Sequence, residues 1–403
     1  MIRISLFALI SILFFSCSQQ AHHPEHGSWR AVLDLGHNKE LPFMVDFTEE
    51  HIFVIYNAEE EIITEPVIIR GDSIIVHHPV FEGVLKGTFT AKTIRGSFIT
   101  EGLKREVPFT MTFGLQERFQ GSRPATDEIS GNWEMVFTED SPEDTYIGKG
   151  IFDQDGNKVS GTIRTTTGDY RFLEGIVDAD SLRLSTFDMA HAFLFEAGIS
   201  DSTMTGTFYS GNHYTASFTG KRNEKFELPQ ADSLTFLKEG YDKIAFSFPD
   251  TEGKLVSLED EQYRDKVVVV QVMGSWCPNC LDETRYFTEY YSKNPSEELE
   301  FVSLAFEYVD TKEKAMEGLK RLKDKVGIPY PVLLAQYGSR DKKIANEKLP
   351  MLNHVLSYPT TIFIDKQGQV RKIHTGFNGP ATGEKYDEFV AEFEAFIAQL
   401  LAE

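Results

Sequence analysis

Val267-Val268-Val269-Val270-Gln271-Val272-Met273-Gly274-Ser275-Trp276-Cys277-Pro278-Asn279-Cys280 is the stretch whose reading decides the rest of the chain. A run of valines with no alternation predicts a strand buried on both faces, the pattern of a parallel sheet. A short turn follows, and two cysteines separated by two residues stand where a helix should begin. The first turn of a helix has unpaired N–H groups and partial positive charge. A thiol placed there ionises more readily, and the thiolate is the reactive form. Cys277 is the expected attacking sulfur and Cys280 the resolving one, together a redox-active disulfide. Pro278 suits the first helical position, where its missing N–H needs no partner. A structural zinc site would need two further Cys or His ligands at suitable spacing. The chain has three cysteines in all, and the third is Cys17, so no metal and no other cofactor is expected.

A chain of 403 residues is too long for one compact core and implies two or three domains. Its formal charge of −22 argues against electrostatic nucleic-acid binding. Residues 1–17 have the pattern of an export leader. Arg3 gives a positive start, and Ile4–Phe15 is apolar but too short to span a bilayer. Leu13-Phe14-Phe15-Ser16-Cys17 has the form of a lipoprotein cleavage box, with Cys17 becoming the lipidated first residue. The alternative is ordinary cleavage a few residues later, with Cys17 discarded. Either way the mature chain leaves the cytoplasm, and Cys277 and Cys280 hold its only free thiols. No structural disulfide can then form, so the pair serves exchange with other molecules.

Three landmarks carry a family resemblance. Trp276-Cys277-Pro278-Asn279-Cys280 resembles the active site of the thioredoxin superfamily, nearest to its extracytoplasmic, membrane-tethered TlpA/ResA-like branch. Tyr358-Pro359-Thr360-Thr361-Ile362-Phe363-Ile364-Asp365 is similar to the branch's cis-proline strand, and Glu283 stands where some members carry a proton-handling glutamate. The resemblance covers residues 242–403. It implies a cis peptide before Pro359, with Tyr358 beside the sulfurs and its backbone open to an extended partner. It implies client contact by Trp276, whose ring also suits a wet rim. Glu283 lies three residues past Cys280, on the same helix face, and if buried it would exchange the resolving proton. Two departures stand out. Gln271 occupies the position of the buried aspartate of cytoplasmic thioredoxins and cannot act as a base. Ser357 replaces a common glycine, so the loop before Pro359 should differ in shape.

Upstream the character changes. Residues 18–26 form a polar tether whose His22, His23 and His26 read as solvated linker. From 27 to 225, short alternating segments punctuated by Gly, Asp and Asn predict an all-β half. Phe187–Ala197 is open between helix and strand. A weak repeat runs through this half. Gly27-Ser28-Trp29 recurs as Gly131-Asn132-Trp133, Asp72-Ser73-Ile74 as Asp180-Ser181-Leu182, and Arg95-Gly96-Ser97-Phe98 as Thr205-Gly206-Thr207-Phe208. The expectation is two β-rich units, 27–120 and 128–225, as two small antiparallel barrels or sandwiches or the halves of one larger one. His77, His78 and His191 are isolated on strands, and no site is assigned here. Residues 226–241 read as a linker with a helical turn at Ser233–Gly240. Residues 242–403 should be an α/β thioredoxin fold, opening with a hairpin at Phe246–Leu258. Helices are expected from Asp310, capped with Glu313, to Val326, and over Lys342–His354 and Glu384–Leu401. The fold class is thus multidomain, an all-β N-terminal half followed by an α/β C-terminal half.

The leading functional expectation is a lipid-anchored thiol-disulfide oxidoreductase of the cell envelope, facing the periplasm from the inner or outer membrane. The resembled branch implies a reductase of protein disulfides, with service in cytochrome c maturation as one setting. A disulfide-bearing client protein, a membrane electron donor and the membrane itself are the expected partners, since glutathione does not buffer that space. An oxidase or isomerase with the same residues is the second reading. A binding lipoprotein whose β half captures a ligand or partner, with a structural or redox-sensing thioredoxin half, is the third. A peroxiredoxin is disfavoured, because Gly274-Ser275-Trp276 precedes Cys277 where a threonine three residues upstream would be needed.

Overall fold

A computed structural model of the chain describes residues 23–138 and 145–403. Residues 1–17, with Cys17, and His22 of the tether lie outside the described residues. The tether's end is packed, not free: the His23 and His26 rings stack 4.7 Å apart, and His26 lies 5.0 Å from Phe47.

Gly27–Asp34 shows how the β half forms. Trp29, Ala31 and Leu33 alternate with half-exposed residues and are fully buried, as a period-two pattern on a pleated strand requires. This strand pairs antiparallel with Glu40–Phe47 on one side and Arg105–Phe113 on the other. The sheet grows outward from there to nine strands, with Glu60–Ile63 and Ile68–Arg70 as unpaired edges. The first unit is therefore an open, rolled sheet. The second is closed. Gly131–Thr138 pairs with both Tyr146–Asp155 and Tyr214–Arg222, and Tyr146–Asp155 pairs with Lys158–Thr165 to seal the ring. The ambiguous Phe187–Ala197 stretch is the join of two strands, Ser181–Phe187 and Ala192–Ser200. The Asp188 carboxylate makes the turn by accepting the N–H groups of Ala190, at 2.9 Å, and His191, at 2.5 Å.

The repeat has a physical counterpart. Trp29 and Trp133 each open the first strand of their unit, and each is wholly buried. Each indole N–H donates to a carbonyl four residues upstream, Trp29 to Glu25 at 2.9 Å and Trp133 to Ile129 at 2.8 Å. The units share a core as well. Phe187, Met189 and Leu194 of the second unit are buried among Phe43, Phe98 and other core residues of the first. The Phe43 and Phe187 rings are 4.3 Å apart. The side chain of Asn57 fastens this joint, donating to the Phe187 carbonyl at 3.0 Å and accepting its N–H at 3.1 Å.

Residues 226–241 are docked on the C-terminal half. The helical turn is a short 3-10 turn at Ala231–Ser233, upstream of the expected Ser233–Gly240. Leu237 then pairs with Leu352, and Thr375 donates its hydroxyl to Thr235 at 2.8 Å. Those backbone and hydroxyl partners hold the segment extended.

The C-terminal sheet runs Val332–Gln336, Leu299–Phe306, Val267–Met273, Thr360–Ile364, Val370–Thr375. Its first three strands are parallel and the last two join antiparallel. The valine strand is covered on both faces. Val267, Val269 and Met273 pack with Phe287 of helix α1 (Pro278–Lys293), Leu319 of α2 (Lys312–Val326) and Phe393 of α4 (Glu384–Ala402). Val268, Val270 and Val272 pack with Ala345 of α3 (Lys342–Lys348) on the other side. The expected hairpin is present as Ser247–Pro249 paired with Leu255–Ser257. Two details differ from expectation. Helix α2 is capped by the Thr311 hydroxyl, which accepts the Lys314 N–H at 3.3 Å, in place of Asp310. Helix α3 stops at Lys348, well short of His354, because Pro350 has no N–H for the ladder and drives Leu349 out of helical geometry. No helix among the described residues is long and apolar enough to cross a membrane.

Trp133→Ala should destabilise the closed barrel by about 3–5 kcal/mol, the range for emptying a large aromatic site. A lowered urea midpoint of the β-sheet circular-dichroism signal measures it.

Candidate active site

The valine strand ends at Met273, and Gly274-Ser275-Trp276 turns the chain into α1. Cys277 is the N-cap of that helix, and its sulfur accepts the Cys280 N–H at 3.1 Å. Cys277 and Cys280 are joined by a disulfide, with Cα atoms 5.2 Å apart. Cys277 is 6% exposed and Cys280 wholly buried. An N–H aimed at the Cys277 sulfur stabilises negative charge there once the pair is reduced, and the helix N-terminus adds to it.

Opposite the sulfurs, the Tyr358–Pro359 peptide is cis. The Tyr358 carbonyl oxygen lies 3.5 Å from the Cys277 sulfur. Trp276 stands at the rim, half-buried. Its ring sits 5.5 Å from Tyr308 and 5.7 Å from Tyr358, and its indole N–H donates to the Phe306 carbonyl at 2.9 Å. The structure thus brings Trp276, Cys277, Cys280, Tyr358 and Pro359 into one place.

Glu283 lies beneath them, wholly buried. Gln271 donates to one carboxyl oxygen at 2.9 Å and the Thr361 hydroxyl to the other at 2.8 Å. Burial pushes the carboxyl up to about 8, and these two hydrogen bonds restrain the rise. Gln271 also donates to the Cys280 carbonyl at 3.3 Å, so one amide bridges the Glu283 carboxyl and the backbone of Cys280. Its own oxygen accepts the hydroxyls of Thr284 and Ser303, which fixes the amide's orientation.

Several residues of the site carry no sequence signal. Glu307 follows the strand Leu299–Phe306 and is buried. Its carboxyl accepts the Ser275 N–H at 2.7 Å and hydroxyl at 2.8 Å, holding the turn before Cys277. Burial raises this carboxyl to about 7. The only advance hint was its place at the C-terminal end of a parallel strand, where α/β sites form. The β half also reaches the site, although no site was expected there. Asn279, between the cysteines, donates to the Asp169 carbonyl at 3.2 Å, and Ser357 donates its hydroxyl to the Thr167 carbonyl at 2.7 Å. Ser357, the departure from glycine, thus has a use, since glycine has no hydroxyl to donate. From the first unit, His78 shapes a loop by accepting the N–H groups of Val80 and Phe81, at 3.0 and 2.8 Å. Burial holds its imidazole down at about 3, keeping it the neutral acceptor this turn requires. Val80 and Phe81 then join the core around α1, and Arg321 of α2 donates to the Val80 carbonyl at 2.6 Å.

The Redoxin family pattern matches residues 239–389. These residues form a thioredoxin-superfamily redox domain. The thioredoxin-like protein YneN of Bacillus subtilis is 28% identical over 140 residues, 35% of this chain and 73% of the relative. The thiol-disulfide oxidoreductase ResA of the same organism is 28% identical over 163 residues, 40% of this chain and 74% of the relative. Among solved structures, a thiol:disulfide interchange protein of the thioredoxin family from Chlorobium tepidum TLS matches at 21% identity with a TM-score of 0.30, over 41% of this chain and 98% of that one. With the disulfide of Cys277 and Cys280 inside this fold, the domain is a thiol-disulfide oxidoreductase.

Glu283 gives a test of the buried carboxyl. A carboxyl raised to about 8 when folded, against 4.5 when unfolded, keeps a proton that the unfolded chain releases between those values. Its contribution is therefore present at pH 4.5 and lost as pH rises toward 8. Glu283→Gln should show a smaller fall in urea midpoint from pH 5 to pH 8 than the parental chain, and equal falls would show that the carboxyl is not raised.

Proposed function

We propose that the chain is a lipid-anchored, extracytoplasmic oxidoreductase that reduces disulfides in client proteins. The observation that carries this reading is the buried Glu283 joined through Gln271 to Cys280, below a Cys277 whose sulfur accepts a helix N-terminal N–H. In the reduced enzyme the Cys277 thiolate attacks a client disulfide. One client sulfur leaves as a thiolate and takes a proton from water, and a mixed disulfide remains. Cys280 then gives its proton to Glu283 and attacks the Cys277 sulfur; the second client sulfur leaves as a thiolate that is protonated from water, while Glu283 releases its proton to solvent. The client gains two electrons and two protons, and the pair returns to the disulfide. Glu283, at about 8, is close to an ordinary thiol near 8.5, so the proton transfer is nearly balanced in either direction. A membrane electron donor of dithiol type resets the pair by the reverse exchange.

Trp276, Tyr358 and Pro359 form the client-contact edge in this reading. Residues 27–120, 128–225 and 242–403 are its three units, with 226–241 between the second and third. The names of the curated relatives, a thioredoxin-like protein and a thiol-disulfide oxidoreductase, support the activity. The leader pattern and Cys17 support export and lipid anchoring at the envelope. Cytochrome c maturation is one pathway such a reductase would serve. The competing reading is a binding lipoprotein with a structural or sensing redox half.

The decisive experiment is mixed-disulfide trapping in the native host. Cys280→Ala should accumulate discrete protein adducts on Cys277, and Cys277→Ser should abolish them. No adducts from an exported chain with reduced Cys277 would favour the binding role.

A further inference from the structure

The β half packs on both flanks of the Cys277 turn, through contacts that can be named. On one flank, the loop Thr165–Arg171 of the second unit lies on the start of α1 and on the Ser357–Gly379 face. Asn279 and Ser357 donate to its carbonyls, and the Gly379 N–H donates to the Asp169 carboxylate at 2.7 Å. The fit is close. Gly168 has φ +141, and a Cβ there would stand 2.4 Å from the Asn279 amide nitrogen. On the other flank, a cavity of about 80 Å³ beside Trp276 is roofed by Phe81–Gly83 of the first unit and Met189–His191 of the second. These two loops touch so closely that a Cβ on Gly83 would meet the Met189 carbonyl.

One side chain locks the arrangement. Arg171, buried, pairs with Glu60 of the first unit, Asp188 of the second and Asp282 of α1. Asp282 is two residues past Cys280. A buried guanidinium facing three carboxylates cannot leave one of them cheaply, since each broken pair strands a charge in a site of low dielectric. The loop is therefore held at the disulfide by contacts stronger than those of an ordinary surface turn.

We propose that the Thr165–Arg171 loop, clamped by Arg171 to Asp282, is the size-selecting element of the enzyme. It excludes folded surfaces from Cys277 and admits small disulfides or an extended chain threaded past Trp276. This rests on the oxidoreductase reading above. The loop also uses Ser357, next to Tyr358, through the Thr167 carbonyl, so it occupies part of the edge that a client backbone would approach.

The test compares reagents of two sizes on the reduced full chain carrying Cys17→Ser and Cys280→Ala, in which Cys277 is the only thiol. The probes are N-ethylmaleimide and a small, compactly folded protein carrying a single surface maleimide. The readout is the ratio of their rates, normalised to the same ratio for glutathione. The parental ratio should disfavour the large reagent at least tenfold. Asp282→Asn and Asp169→Ala, which loosen the loop without touching the sulfurs, should restore most of it. The ratio cancels any change in Cys277 ionisation, which affects both reagents alike. A normalised parental ratio near one overturns the proposal whatever the variants do. So does a variant that melts like the parent yet keeps the parental ratio. Failure of the oxidoreductase reading would appear elsewhere, as absent turnover of a small aromatic disulfide by the chain with both cysteines intact.

Discussion

The constraint on which the assembly turns is the burial of Arg171. A guanidinium removed from water must find carboxylates, and here they come from three separate parts of the chain: Glu60, Asp188 and Asp282. Glu60 and Asp282 are each 111 residues away from it in sequence. Burial opposes the charge, but Asp282, Glu60 and Asp188 hold the guanidinium firmly ionised. At Asp188, burial likewise opposes ionisation, and His191 and Arg171 together keep that carboxylate well below its ordinary range. The ion cluster fixes the relative placement of both β units and the redox helix at one point, a few residues from the reactive sulfurs.

Close to that point the redox site holds two buried acids. Glu283 sits near Cys280 and is held by neutral donors, Gln271 and Thr361, with no cation among its hydrogen-bond partners in the described residues. That choice leaves it free to take either protonation state. Glu307 binds both the N–H and the hydroxyl of Ser275, in the turn before Cys277. The first acid is held by side chains alone, and the second holds backbone in place. The glutamine at 271 belongs to the first arrangement. It is no base itself, yet its amide spans the gap between Glu283 and the Cys280 carbonyl.

Much of this was legible where the determining physics is local. An unbroken valine run, a CxxC pair at a helix start and alternating segments cut by Gly and Asn each encode their own conformation within a few residues. The paired Gly-x-Trp openings were equally visible, because each tryptophan answers to a carbonyl four residues away. Helix boundaries were less so. Thr311 against Asp310 is a competition between adjacent capping side chains, and sequence offers little to separate them. What could not be read was anything decided by contacts across the chain. Thr165-Thr166-Thr167-Gly168-Asp169 reads as an ordinary polar turn, and only the packed fold puts it against Asn279 and Ser357. The burial of Glu283 and Glu307 is of the same kind, since a glutamate's surroundings depend on the strands and helices that close over it.

The open sheet of the first unit has a consequence for how the polypeptide acquires its structure. Its core is completed by Phe187, Met189 and Leu194, which are synthesised long after the strands they cover. The first β unit therefore emerges from the ribosome, and from any export channel, with the sides of Phe43 and Phe98 that meet Phe187 still uncovered. It gains its full hydrophobic stabilisation only when the second barrel is made. The packing of the first unit is complete only with the second, and the redox domain's core in turn includes Val80 and Phe81 of the first.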